Sequence, residues 1–289
     1  IHESNHKEYE RTTLQAAHYN AFREHMIGQP TRGDRDNLSS LTVEQVKQFH
    51  NDNYHGDNIY IVASGNVNHQ ELVDMIESNF SSLPRNSGAP VNNEEKPIYS
   101  PTLLFMRDDE MVNSNVGVFY DAPSINDPDY YSFQLLQRIF GSYNIEKNAE
   151  HLNDVLKQYN SLHAMIGDLP DVTRHQSHYF AYSDCGIFGN YFFGNEVFTR
   201  HMTYCGMALN TIYGHYMNDV EVFRARNKYY NELLSKDGVV DTVHDIAPQV
   251  MHLGRRVPRS EIAKRIAYLD AYHMKNLCYE WFYDAEPSI

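Results

Sequence analysis

The chain has 289 residues, a hydrophobic fraction of 42% and a formal net charge of −14, from 38 acidic residues against 24 Lys and Arg. No basic face is present to neutralise phosphates, which argues against nucleic acid as a partner. No run approaches the ~18 apolar residues of a membrane span, so any membrane contact is expected to be peripheral. The length exceeds one average domain, and two are expected. Cys185, Cys205 and Cys278 are odd in number, far apart and without CxxC spacing. They argue against a disulfide framework and a thiolate metal site, and fit a reducing compartment.

Taken in order, residues 1–26 favour a helix, with Leu14, Ala17, Ala21 and Phe22 near one face and Gly28 and Pro30 closing it. Its first residues read as the interior of an element already under way, with targeting information expected upstream of Ile1. Thr42 and Gln45 form a capping-box pattern ahead of Val43, Val46 and Phe49. Ile59–Ala63 is predicted as a strand, and Asn68 with Glu71 starts a helix through Leu72, Val73, Ile76 and Phe80. Residues 81–100 collect Ser, Pro, Gly and Asn, the composition of a linker.

Residues 102–141 are predicted as a hairpin, Leu103–Met106 against Val116–Tyr120, feeding a helix that carries Phe133, Leu136 and Phe140 and stops at Gly141. That unit opens an α+β sandwich. A helix is predicted over 146–159, and two aromatic strands near 178–183 and 187–193. Further helices follow over 198–217, from Asp219, from Asp241 with Pro248 straining its middle, from Ser260 and from Asp270. Glu286–Ile289 is where another strand would begin.

Chemistry-bearing clusters are sparse. His2 and His6 share a helical face, as a zinc-binding pair would, but no HExxH joins them. The acidic turn Asp108–Glu110 reads as a hydrated connection rather than a cation site, and the ring-rich strands read as sheet filling. Arg255 and Arg256 sit in a loop suited to acidic groups or to salt bridges between helices. No GxGxxG, P-loop or GxSxG occurs. The acidic surface could attract a basic peptide, but many acidic proteins bind nothing of that kind, and plain solubility is the favoured reading.

Several stretches, in order, carry a resemblance: AHYNAF at 17–22, the long segment 38–84, LFMRDDEM with NDPDYYSFQLLQRIFG, YSDCGIFGNYF, and the runs 222–238 and 250–266. Together they resemble the mitochondrial processing peptidase beta subunits and the first core subunits of ubiquinol-cytochrome c reductase, in the peptidase M16 family. The resemblance implies two related α/β sandwich halves: residues 1–85 as the end of the first, 86–99 as the linker and 100–289 as the second.

The family's zinc motif, HxxEH, is absent here and is expected upstream of Ile1. Glu3 falls near the segment that supplies the third zinc ligand, with its spacing to AHYNAF offset from the family's. GSYNIEKNAEHL stands where alpha subunits carry a glycine-rich loop, which favours the beta or first-core type. The implied role is a matrix-side core subunit of complex III, at the mitochondrial inner membrane or in the matrix. Its implied partners are a second core or alpha-type subunit and other complex III chains. The alternative is a zinc endopeptidase that binds presequence peptides, and a third reading is a binding module without catalysis.

Overall fold

The structure, a computed structural model, describes residues 2–33, 35–85, 95–107, 110–144, 172–235 and 238–289. The predicted helix over 146–159 and most of the predicted linker lie outside them. The chain divides into two compact units, one formed by 1–30, 97–232 and 259–289, the other by 31–96 and 233–258.

The first unit is built on an antiparallel sheet. Strands β1 (Asn113–Ala122), β2 (Ser142–Asn144), β3 (Val172–Ala181) and β4 (Gly186–Asn195) stand in the order β1-β4-β3-β2. Alternation sorts their side chains to two faces. Val118, Phe188, Phe192 and Tyr179 point to one side, where helices α5 (Tyr130–Phe140), α6 (Thr199–His215) and α10 (Ala271–Phe282) pack. Phe119, Ile187 and Phe180 point to the other, against α1 (His2–Phe22). The α+β expectation therefore holds, with helices on both faces of an antiparallel sheet.

Phe133 is the hub of the first layer. It is fully buried, with ring centroids 5.5 Å from Tyr179, 5.5 Å from Phe188, 5.3 Å from Trp281 and 5.9 Å from Phe282. Such a ring contributes about 1.5–3 kcal/mol through burial alone. Gly206 brings α6 onto β1: a Cβ there would stand 2.7 Å from Val118 Cγ2. On the opposite face Ala17 and Ala21 present almost no side chain, so α1 lies close over Phe119 and Ile187.

The predicted hairpin of Leu103–Met106 against Val116–Tyr120 is not formed. The C-terminal residues lie between the two segments instead: Phe119 and Ser288 exchange backbone hydrogen bonds of 2.9 and 2.7 Å, while Ile289 bonds Thr102 and Leu104 at 2.9 and 2.8 Å. Tyr99 Oη fastens this edge, donating toward the carbonyls of Phe119 and Glu286, each at 3.0 Å. Local β-propensity marked both segments as extended but carries no information about a neighbour from the far end of the chain. The tail does what the sequence suggested, beginning a strand-like pairing at Ser288.

Several helix starts are fixed by side-chain acceptors. Asp270 Oδ1 accepts from His273 N at 2.8 Å and starts α10. Asp127 Oδ1 accepts from Asp129 N at 2.9 Å, which leaves Pro128 in the turn before α5 rather than at its first helical position. Asn218, not Asp219, is the acceptor before α7 (Asp219–Ser235), taking Val220 N at 2.9 Å. Helix α9 spans Arg259–Ala267, opening one residue before the predicted Ser260.

The second unit holds α2 (Arg35–Ser40), α3 (Val43–Asn53), α4 (His69–Phe80) and α8 (Val239–Leu253). The capping box before α3 is complete: Thr42 Oγ1 accepts from Gln45 N, and Gln45 Oε1 accepts from Thr42 N at 2.8 Å. At α4, Asn68 accepts from Gln70 N and donates to Glu71 Oε1. Helix α8 runs unbroken through Pro248 and ends on Gly254, whose φ of 66° is left-handed.

Ile59–Ala63 joins no ladder among the described residues, so this predicted strand is absent: an extended segment needs a partner to become one. None of α3, α4 or α8 contains a buried residue, and the apolar residues Val43, Val46 and Phe49 of α3 are 63%, 56% and 64% exposed.

Candidate functional site

The densest polar chemistry in the first unit lies where α1 crosses the sheet. Glu10, one helical face with Ala17, reaches His178 of β3, with Oε1 3.4 Å from Nε2 and side-chain exposures of 17% and 11%. The nearby His178 imidazole holds the Glu10 carboxyl below its ordinary value against the opposing effect of burial, with further help from the charge of Arg174. The His178 ring stacks on Phe180, 5.7 Å away and tilted 5°. Beside them, Tyr191 donates to Asn115 Oδ1 at 2.6 Å, and burial raises its phenol well above normal.

Eight residues along α1 from Glu10, His18 meets the same sheet. Its Nδ1 lies 2.7 Å from Leu14 O and its Nε2 2.8 Å from Tyr182 Oη. A carbonyl only accepts, so Nδ1 carries the proton and Nε2 accepts from the tyrosine, which assigns the neutral tautomer. Burial depresses the His18 pKa in agreement, and burial pushes Tyr182 up to about 12. Phe180 receives the His18 ring edge-on at 4.8 Å. Carboxylate, imidazoles and phenols thus come together here, but they are roofed by α1. What the arrangement does is hold α1 in register on the sheet.

Glu3, the predicted zinc ligand, lies in α1 seven residues before Glu10, about two turns away. The side chains of Glu3, His2 and His6 lie outside the described residues. Among the described residues no three His, Cys, Asp or Glu side chains converge as a metal site would require. Asp108 and Asp109 also lie outside the described residues. Arg255 Nη1 is 3.5 Å from Arg256 O, and Val257 N bonds Gln249 Oε1 at 2.7 Å.

All three cysteines are free and buried. Burial raises the thiol pKa at each, to about 12 at Cys185, where Asp184 adds to it, so none is a thiolate nucleophile. The strand rings fill the sheet faces as expected. The Glu10–His178 and His18–Tyr182 contacts were missed in the sequence. The available signal was a carboxylate and a histidine set in the α1 stripe that also carries Ala17 and Ala21.

The family model described as the peptidase M16 inactive domain matches residues 40–229. The probable mitochondrial-processing peptidase subunit beta of Arabidopsis thaliana is 26% identical over 97% of this chain and 52% of its own length. The beta subunit of Neurospora crassa is 26% identical over 98% of the chain and 60% of its own length. Cytochrome b-c1 complex subunit 1 of Bos taurus is 25% identical over 94% and 56%. The chain therefore spans about half to three fifths of these relatives.

A chain of complex III2 from Candida albicans, Inz-5 bound, superposes with a TM-score of 0.85 at 21% identity, covering 96% of this chain and 65% of that one, which establishes the shared fold. With roughly two thirds of its length, by residue range, matched to that family model, the chain belongs to the peptidase M16 family and carries its inactive domain.

Proposed function

We propose that this chain is part of a beta-type core protein of mitochondria: a matrix-side scaffold of ubiquinol-cytochrome c reductase, peripheral to the inner membrane. It pairs with a second core or alpha-type subunit and with other subunits of that complex. The observation carrying this reading is that one continuous match, over 94% or more of the chain, extends both to processing peptidase beta subunits and to a cytochrome b-c1 core subunit. No helix among the described residues is long and apolar enough to cross a membrane, in keeping with peripheral attachment. The exposed apolar stripe of α3 and the exposed run Leu103–Met106 are surfaces that assembly would cover.

In this reading residues 1–85 close a first sandwich half, 86–99 link it and 100–289 form the second. The test is a tagged chain expressed in mitochondria: migration on native gels with cytochromes b and c1, and loss of that assembly on depletion, are expected. Migration apart from the cytochromes, with the assembly intact after depletion, refutes the scaffold role.

A second reading, favoured by the beta-subunit relatives, is a zinc endopeptidase acting with an alpha-type subunit on presequence peptides. When bound, zinc would supply an activated water. Glu3 would add one carboxylate from α1, the other ligands coming from an HxxEH that this sequence does not contain. Zinc content of the complete protein with its alpha-type partner, compared with a Glu3→Gln variant, tests this. Equal zinc in both refutes the role of Glu3, and absence of both zinc and presequence cleavage refutes the peptidase.

A further inference from the structure

The last turns of α6 and α10 meet at one exposed aromatic cluster that no role above uses. Gly214 makes the meeting possible: a Cβ there would stand 3.2 Å from both N and Cα of Tyr279. His215, the last residue of α6, lies edge-on to Tyr279 and Tyr283, with centroids 6.1 and 5.9 Å away. Those two tyrosines stack on each other at 4.5 Å, tilted 16°. Tyr216, Tyr279 and Tyr283 are 62%, 46% and 50% exposed, an unusual outlay of aromatic surface in one place.

Acidic residues predominate in the segments that carry the rings. Helices α6 and α10 both end here, at His215 and Phe282, so two negative dipole ends converge on the same spot. Glu280, Asp284 and Glu286 are exposed in the same terminal run, and Asp219 is exposed just after α6. Within 268–289 the one Lys or Arg is Lys275, whose ammonium lies 5.7 Å from the ring of Tyr272 instead. Negative ring faces, two helix C-termini and exposed carboxylates all favour a cation. A flat guanidinium that stacks on phenol rings while donating to carboxylates satisfies them together.

We propose that the joined ends of α6 and α10 form a docking surface for an arginine-rich segment of a partner protein. Tyr279 and Tyr283 supply the stacking faces, while Glu280 and Asp284 supply the countercharge. The helices that carry this surface pack on the sheet face opposite α1.

The test is fluorescence anisotropy of the full chain with a labelled peptide of alternating arginine and alanine, at low and at physiological salt. Alternating lysine–alanine and glutamate–alanine peptides serve as comparisons. The arginine peptide is expected to bind most tightly and to weaken with salt. Replacing both Tyr279 and Tyr283 by Leu is expected to weaken it about tenfold, and replacing both by Phe to leave it within about twofold. Glu280→Gln with Asp284→Asn should reduce the salt dependence.

Trp281 fluorescence during thermal unfolding monitors the fold of each variant. If Tyr279→Leu disturbs it, Tyr283→Leu, outside the helix, decides alone. Unchanged binding in the Leu variants, equal loss in the Phe and Leu variants, or equal binding of the glutamate peptide overturns the proposal. So does self-association of the chain that the Leu variants abolish, which would assign the face to a second copy.

Discussion

Replacing Gly189 by Ala tests how closely the sheet is built around Phe119. Gly189 of β4 stands opposite Phe119 of β1 in the ladder. An added Cβ would lie 2.3 Å from Val118 O and 2.5 to 2.6 Å from the Phe119 ring. The carbonyl is fixed by the ladder, and the ring is fully buried beneath Ala17 and Ala21 of α1. Relief therefore requires the strands to part and the ring to turn, which in a close-packed core costs about 3 kcal/mol, at the upper end of ordinary overpacking.

The single tryptophan, Trp281, is packed at 5.3 Å on Phe133 and donates to Asp129 Oδ2 at 3.1 Å, so its fluorescence reports unfolding of the first unit. Urea titration followed at this residue should show a lower midpoint with an unchanged slope. Phe119→Leu alone is expected to cost about 1 kcal/mol, and the double variant less than the sum by about 1 kcal/mol, because the smaller side chain yields space at the ring while the clash with Val118 O stays. A Gly189→Ala protein as stable as the parent, or strictly additive effects, would refute the close-packing argument.

Three further outcomes are expected. Because burial depresses the His18 pKa below the ordinary 6.5, the unfolded chain binds a proton there that the folded chain resists. Stability should be full above that value and fall as pH drops below it, with the lowered Glu10 pKa adding a second loss below its ordinary 4.5. His18→Gln should flatten the first limb in a pH series of urea midpoints, and an unchanged limb would contradict the assignment. Asp270→Ala should remove the α10 cap and lower stability by about 1 kcal/mol, whereas Asp270→Ser should restore most of it. Finally, the buried thiols should react with an aromatic disulfide reagent at the rate of unfolding; rapid modification of Cys278 in native buffer would show that its environment is open.

Much of the fold was legible where the determinant is local. The caps at Thr42 and Asp270, the stop at Gly141 and the aromatic strands β3 and β4 all depend on residues within a turn or a short alternation. Pairing was not legible. Leu103–Met106 has the composition of a strand, yet it takes its hydrogen bonds from Ile289, because contacts of the first and last segments of a sheet are settled by the whole assembly of elements. The candidate site divided in the same way. Glu3 was reached through resemblance alone, whereas Glu10 and His178, far apart in sequence, became a pair only when α1 lay down on β3.

The sequence by itself determined the class of the molecule, its acidic character, the caps at Thr42, Asn68 and Asp270 and its membership of an ordered family pattern, since each is written in composition, periodicity or short spacing. Tertiary structure alone decided which charges are buried and paired, that the chain's last residues complete the β1 edge, and that two helix ends gather tyrosines into one cation-favouring surface. Those features come from contacts between residues distant along the chain, and no local pattern encodes such distances.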